Sequence, residues 1–105
     1  MSIKNIGPDD LRQWISEDKA VLVDVREAHE VAAERIEGAH HLPLSGFHPS
    51  LLPDHDDKIV VYHCASGTRT NTFGHHLAIA ADKARDVYHL AGGILAWKQS
   101  GFAVS

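Results

Sequence analysis

The stretch "HCASGTRTNT", residues 63–72, holds the only cysteine of the chain, Cys64, followed by Ala65, Ser66, Gly67 and Thr68 and then by the cation Arg69. Small residues at 65–68 let the backbone curl so that several N–H groups face inward as a nest, and Arg69 adds a fixed positive charge. A nest of amide donors next to a guanidinium holds an anion, and a thiolate is one. The pattern therefore points to a nucleophilic cysteine whose pKa lies below the roughly 8.5 of a free thiol. A lone cysteine at the end of an apolar run is more often a small buried hydrophobe. That role does not call for a glycine-bearing, apolar-poor loop and an arginine before a helix start.

Other residues that could do chemistry read as structural. The nine histidines include pairs at 40–41 and 75–76, and His63 precedes Cys64. Neighbours on a strand project to opposite faces, and neighbours on a helix lie about 100° apart, so neither pair makes a ready chelate. No HxxxH or CxxC spacing occurs, and neither a metal nor a cofactor is expected. A cysteine–histidine pair is possible on paper, but the loop amides explain thiolate formation without a base. Asp24 and Arg26 suit an ion pair that fixes neighbouring loops. Trp14 and Trp97 read as core.

The elements that must position the loop follow from periodicity. "GPDDLRQWISED" opens with Gly7 and Pro8, places Asp9 and Asp10 at a helix start, and repeats Leu11, Trp14 and Ile15 at helical spacing. "AVLVDV", Ala20–Val25, is a nearly continuous aliphatic run, as in a strand covered on both faces. A short helix over "EAHEVAAERI", a short strand in "GAHHLP" and a loop through "GFHPSLLPDHDD" come next. A strand at "KIVVYH" leads into the cysteine loop, and a helix is predicted from about Thr70 to Ala81 with Phe73, Leu77 and Ala81 on one face. "DVYHL" is a further strand, "AGG" a turn, and "ILAWKQS" a last helix ended by Gly101. Strands alternating with helices indicate an α/β fold with a mostly parallel sheet. In such sheets ligands collect at the carboxyl ends of the strands, where Cys64 lies.

Composition limits what the loop can belong to. At 105 residues and 44% hydrophobic the chain is enough for one domain, residues 1–105, with a single modest core. Its net charge of −4 and interspersed signs give no basic stripe for nucleic acid and no cluster for an anionic membrane. One cysteine cannot close an intrachain disulfide, so a reducing cytoplasm fits. The N-terminus has no apolar signal core, and runs such as "LAIAA" fall far short of the roughly 18 residues of a membrane span.

Four segments together resemble the single-domain rhodanese family of sulfurtransferases. "LVDVRE" is similar to its Asp-x-Arg strand end, at Asp24 and Arg26. "IEGAHHLP" is similar to its Gly-Ala-x-x-[Ile/Leu]-Pro segment, at Gly38, Ala39, Leu42 and Pro43. "VVYHCASGTRT" resembles the active-site strand and loop, and "LAGGILAWKQSGFAV" the closing Gly-Gly-x-x-x-Trp helix, at Gly92, Gly93 and Trp97. His41 departs from the Asn usual at its position. The resemblance implies a central five-stranded, mostly parallel sheet flanked by helices, and a two-step transfer without a cofactor. Cys64 takes the outer sulfur of an anionic donor such as thiosulfate, and its persulfide passes that sulfur to cyanide, a thiol or a partner protein. On this reading Cys64 is catalytic, Ala65, Ser66, Gly67, Thr68 and Arg69 bind the donor, and Arg69 orients it. Asp24 and Arg26 are support. The protein is expected to be a monomer with an open pocket mouth, uncharged apart from Arg69. A free-standing enzyme and a protein-to-protein sulfur carrier need the same loop. Phosphatases with a related loop place five residues between cysteine and arginine, one more than the four, 65–68, found here.

Overall fold

The computed structural model describes residues 3–105. In chain order these form β1 (Lys4–Ile6), α1 (Pro8–Ser16), β2 (Ala20–Asp24), α2 (Ala28–Ala33), β3 (His40–His41), β4 (Ile59–His63), α3 (Thr68–Thr72), α4 (Gly74–Ala80), β5 (Asp86–Leu90) and α5 (Gly93–Gln99), with 3₁₀ turns at Leu44–Gly46 and Pro49–Leu51. Five strands make one sheet in the order β1-β5-β4-β2-β3, and each adjacent pair runs parallel.

The aliphatic runs of β2 and β4 are explained by cover on both faces. Val21, Val23, Val60, Tyr62 and Cys64 pack on one side with Leu77 and Ala81. Leu22 and Val61 pack on the other with Leu11, Ile36, Leu90, Ile94 and Trp97. Because side chains alternate along a strand, the central strands feed both layers and carry no solvent face.

Several boundaries differ from the sequence expectation. β1, three residues with only Ile6 buried, pairs with β5 alone, so it lacked both the length and the apolar pattern of a strand. The strand predicted across 38–43 is two residues long, held against the end of β2. The helix predicted from Glu27 to Ile36 spans Ala28–Ala33, with Glu27 as its N-cap in a reciprocal capping box with Glu30. The helix predicted from Thr70 to Ala81 begins earlier, at Thr68, and breaks at Phe73 into α3 and α4. At the break Gly74 lies so close to Ile3 that a Cβ there would sit 2.5 Å from the Ile3 side chain. Phe73, predicted on one face with Leu77 and Ala81, is instead 43% exposed while those two are buried. Trp97 is buried, with its indole N–H donating to the Ala103 carbonyl at 2.9 Å. Trp14 is half-buried, edge-on to Tyr88 at 5.1 Å.

Candidate active site

Cys64 follows β4 directly, at the carboxyl edge of the sheet, and is fully buried. The loop after it is shaped by α5. The Ile94 amide donates to the Cys64 carbonyl at 3.0 Å and the Leu95 amide to the Ala65 carbonyl at 3.1 Å. These bonds face the two carbonyls toward α5, so the N–H groups of the same trans peptides, those of Ala65 and Ser66, point away from it. Gly67, in the left-handed region at φ 90°, then reverses the chain into α3. Gly93 lets α5 come this near. It has φ 61°, and a Cβ on it would lie 2.5 Å from the Cys64 oxygen and 2.6 Å from the Ala65 carbonyl carbon.

The result is a cradle around sulfur. The Gly67 amide donates to Cys64 Sγ at 3.1 Å, and the Thr70 hydroxyl lies 3.7 Å from it. Burial pushes the Cys64 thiol up, but the Thr70 amide and hydroxyl and the Gly67 and Arg69 amides overcome it and leave its pKa below the ordinary thiol value. The first turn of a five-residue helix and the loop therefore stabilise the anion. Ala65 and Ser66 line the adjacent cleft, and the Thr68 hydroxyl bonds that of Ser66 at 3.1 Å. Thr70, not among the expected site residues, points its hydroxyl at the sulfur. Its place in the sequence, directly after Arg69, was the only signal.

His63 is not positioned on the thiol. Its Nδ1 lies 3.3 Å from the Cys64 carbonyl oxygen, and its Nε2 3.4 Å from Asp24 Oδ2. Burial lowers its pKa although Asp24 opposes this, so the ring is neutral. Asp24 and Arg26 form the ion pair read from the sequence: Nε donates at 3.0 Å and Nη2 at 2.7 Å, with both side chains almost wholly buried. Burial pushes the Asp24 carboxyl up, but the Arg26 hydrogen bonds and charge, together with the neighbouring His63, leave its pKa below the ordinary carboxyl value. Arg26 also donates to the Glu34 carbonyl at 2.8 Å and the Glu30 carbonyl at 3.4 Å, which ties α2 to the strand end. His41 holds this corner from the other side, its Nε2 lying 2.8 Å from the Arg26 carbonyl oxygen.

Arg69 has a partner that the sequence did not predict. Both its terminal nitrogens bond the Glu30 carboxylate at 2.8 Å in a parallel pair. The guanidinium holds Glu30 down to about 2. Nor is the mouth uncharged apart from Arg69, as expected. A cleft of about 340 Å³ beside the loop is lined by Ala33, Ala65, Ile94 and Leu95, with Glu30 and Glu34 on its wall. Lys98 closes on Glu34 at 2.7 Å. No spacing rule relates residue 30 to residue 69, so only the fold brings this pair together.

The Glu30–Arg69 pair carries a pH signature. Its contribution is fully present above the ordinary Glu pKa of 4.5 and is lost as pH falls from there toward about 2. Because both side chains are partly exposed, at 35% and 23%, the contribution is about 1 kcal/mol or less. In urea titrations, wild type should exceed Glu30→Gln by that amount at pH 7, and the difference should vanish by about pH 2. A gap that stays constant across this range would disprove the assignment.

Comparison with known proteins agrees with this architecture. The family model of the rhodanese-like domain matches residues 7–100. An uncharacterized protein of Synechocystis, slr1261, is 42% identical over 91% of this chain, which spans 52% of that protein. The thiosulfate sulfurtransferase GlpE of Actinobacillus succinogenes is 28% identical, with 96% of this chain and 89% of GlpE aligned. A rhodanese-related protein from Thermoplasma volcanium superposes with a TM-score of 0.81 at 25% identity, over 97% of each chain. Among the described residues no helix is long and apolar enough to cross a membrane. With its parallel five-stranded sheet and the cysteine loop at the sheet's carboxyl edge, the chain belongs to the rhodanese-like domain family, whose members include sulfurtransferases.

Proposed function

We propose that the chain, as a single rhodanese-like domain, moves a sulfane sulfur from a donor such as thiosulfate, through a persulfide on Cys64, to a thiophilic acceptor such as cyanide or a thiol. The thiolate attacks the outer sulfur of thiosulfate. The donor's S–S bond breaks, and sulfite departs with the bonding electron pair. The acceptor then attacks the terminal sulfur and leaves as thiocyanate or a new persulfide, which returns the thiolate. The observation that carries this reading is the sulfur of Cys64 inside a cradle of N–H donors already in place for an anion. A buried thiol with no second cysteine in the chain to pair with suits the cytoplasm, where it stays reduced.

The test is mass spectrometry of purified protein after thiosulfate and after an organic persulfide, with turnover measured on each donor. Gain of one sulfur atom on the peptide carrying Cys64, lost again on adding cyanide, supports the reading. Failure to gain it from either donor refutes it. A protein-to-protein carrier is the second reading. Leu95, 51% exposed, and Ile94 give the cleft an apolar rim beside the loop, as a partner chain would need. A carrier would load stoichiometrically yet turn over poorly with small acceptors.

Arg69 gives a sharper prediction. Its contact with Glu30 uses two of five N–H donors, so part of the fork remains for a dianionic donor. Arg69→Ala should lower kcat/KM for thiosulfate by a loss on the order of 1.5–3 kcal/mol, and Lys should restore only part of it. A less charged donor, such as glutathione persulfide, should lose little. Equal losses on both donors with a lower melting temperature would mean that Arg69 only braces the loop against α2.

A further inference from the structure

The charges around the cradle cancel one another. Arg26 pairs with Asp24 at 2.7 Å, Arg69 with Glu30 at 2.8 Å and Lys98 with Glu34 at 2.7 Å, so three cations stand against three carboxylates. Arg26 and Lys98 are the basic residues lining the cleft, and Glu30 and Glu34 line it with them. The two buried histidines beside the loop add no charge. His63 is neutral, as is His89 on β5, whose pKa burial lowers. His89 Nε2–H donates to the Asn5 side-chain oxygen on β1, and its bare Nδ1 accepts from the Thr70 hydroxyl at 2.7 Å. With Cys64 as a thiolate, the mouth therefore carries one net negative charge.

A dianion such as thiosulfate is a poor match for that mouth. Arg69 is the cation whose charge Cys64 feels, yet both its terminal nitrogens are aimed at Glu30 in a bidentate pair. Glu30 is held in place from its own side as well. Its Oε1 accepts the Glu27 amide at 3.0 Å as half of the capping box, and Arg26 ties α2 down through the Glu30 and Glu34 carbonyls. Nor does it lose its charge by protonation, since the guanidinium holds it down to about 2. An oxyanion that reaches the remaining N–H groups of Arg69 thus meets a fixed carboxylate beside them. At a separation of about 6 Å in water-like surroundings, one carboxylate weakens the approach of a dianion about ten-fold, and that of a monoanion about three-fold. The rest of the cleft is apolar, built from Ala33, Ala65, Ile94 and the exposed Leu95.

We propose that Glu30 sets the donor class: by holding Arg69 from α2 it disfavours inorganic dianions and leaves the site selective for organic sulfane donors of at most one negative charge, whose apolar body lies on Ala33, Ala65, Ile94 and Leu95. This rests on the sulfur transfer proposed above and names its substrate class. Glu30 is a positioning residue, since it acts through Arg69. The chemical step keeps its balance. The Cys64 thiolate takes the outer sulfur, the donor's S–S bond breaks, and the organic group departs with the bonding pair, as a sulfinate from a thiosulfonate or as a thiolate from a persulfide.

The experiment compares thiosulfate with benzenethiosulfonate, which presents the same outer sulfur on one charge and an apolar ring. Cyanide is the acceptor, and the proteins are wild type, Glu30→Gln and Glu34→Gln. Wild type should show the higher kcat/KM on benzenethiosulfonate. Glu30→Gln keeps the capping box and removes the charge. It should raise kcat/KM about five- to fifteen-fold for thiosulfate, chiefly through KM, and about two- to four-fold for benzenethiosulfonate. Glu34→Gln removes the same charge from the cleft but frees Lys98 in place of Arg69, and should give less than half of the thiosulfate gain. Equal gains on both donors, a Glu34→Gln gain matching that of Glu30→Gln, or a wild type that prefers thiosulfate would overturn the proposal.

Charge selection is also read without sulfur transfer, from the rates of Cys64 alkylation by iodoacetate, an anion, and by neutral iodoacetamide. Glu30→Gln should raise the iodoacetate-to-iodoacetamide ratio about two- to four-fold, and Arg69→Ala should not raise it. An unchanged ratio in Glu30→Gln overturns the proposal, and so does a thiol that neither reagent reaches. Should Glu30→Gln fail to fold, wild type decides: a ratio above that of the neutral model thiol N-acetylcysteinamide would show the Arg69 charge free to attract anions, which sinks the idea. No turnover on either donor, with the ratio shifted as expected, refutes the sulfur transfer alone and leaves Glu30 as the residue that keeps anions from Cys64.

Discussion

Cys64→Ala should fold and form no thiocyanate above the uncatalysed background. The sulfur is fully buried, so its loss leaves a small void, and the Gly67, Arg69 and Thr70 amides lose their shared acceptor. These costs amount to about 1–3 kcal/mol, which a small domain can survive. The catalytic cost has no such limit, because the group that forms the bond is gone. Cys64→Ser is the informative companion. Its hydroxyl restores an acceptor to the amides and recovers part of the stability, yet at neutral pH it is a far poorer nucleophile. Melting temperatures in the order wild type, Ser, Ala, with both variants inactive, would separate the structural from the chemical role of the atom. Thiocyanate formation by Cys64→Ala would place the nucleophile elsewhere.

Gly93→Ala should be the most damaging single methyl in the molecule outside the nucleophile. The residue sits at φ 61°, where an alanine is already strained, and its Cβ would stand 2.5 Å from the Cys64 oxygen. The atoms in the way are backbone and cannot swing aside as a side chain would. α5 must therefore withdraw, which breaks the hydrogen bonds that the Ile94 and Leu95 amides donate to the loop carbonyls. A loss on the order of 3–5 kcal/mol is expected, with activity falling further than stability, because the amide cradle depends on those peptide orientations. Denaturant unfolding and donor turnover, measured on the same protein, check both halves. A variant with wild-type activity would show that the loop holds its shape without α5.

Parts of this site were legible in the chain and parts were not, and the division follows sequence distance. Cys64 and its small-residue loop are contiguous, and Asp24–Arg26 is an i, i+2 pair, so local chemistry exposed both. β2 and β4 declared themselves by unbroken aliphatic runs. β1 did not, because a three-residue edge strand with one buried side chain has no periodicity to read. The break at Phe73 comes where Gly74 packs against Ile3, a contact between residues far apart in sequence. Glu30 and Arg69 are 39 residues apart, and His89 and Asn5 are 84 apart. Each of these contacts exists only because α2 lies over the cysteine loop or β1 lies beside β5.

The full burial of Cys64 bears on how such a protein would age. In the proposed transfer, a sulfur carried on the thiolate would lie about 2 Å beyond Sγ along the new bond, so an oxidant entering by the donor's route would meet the cargo before the side chain itself. Peroxide arriving at the loaded protein would spend its oxygen on that outer atom. The damage would sit beyond an S–S bond that an ordinary cellular thiol can cut, and cutting it returns the native cysteine. Direct oxidation of an exposed thiolate, by contrast, runs on to sulfinic and sulfonic acids that simple reductants do not reverse. Depth thus makes the passenger atom expendable and the permanent one durable, and a protein kept supplied with donor should outlast one kept empty under the same oxidant.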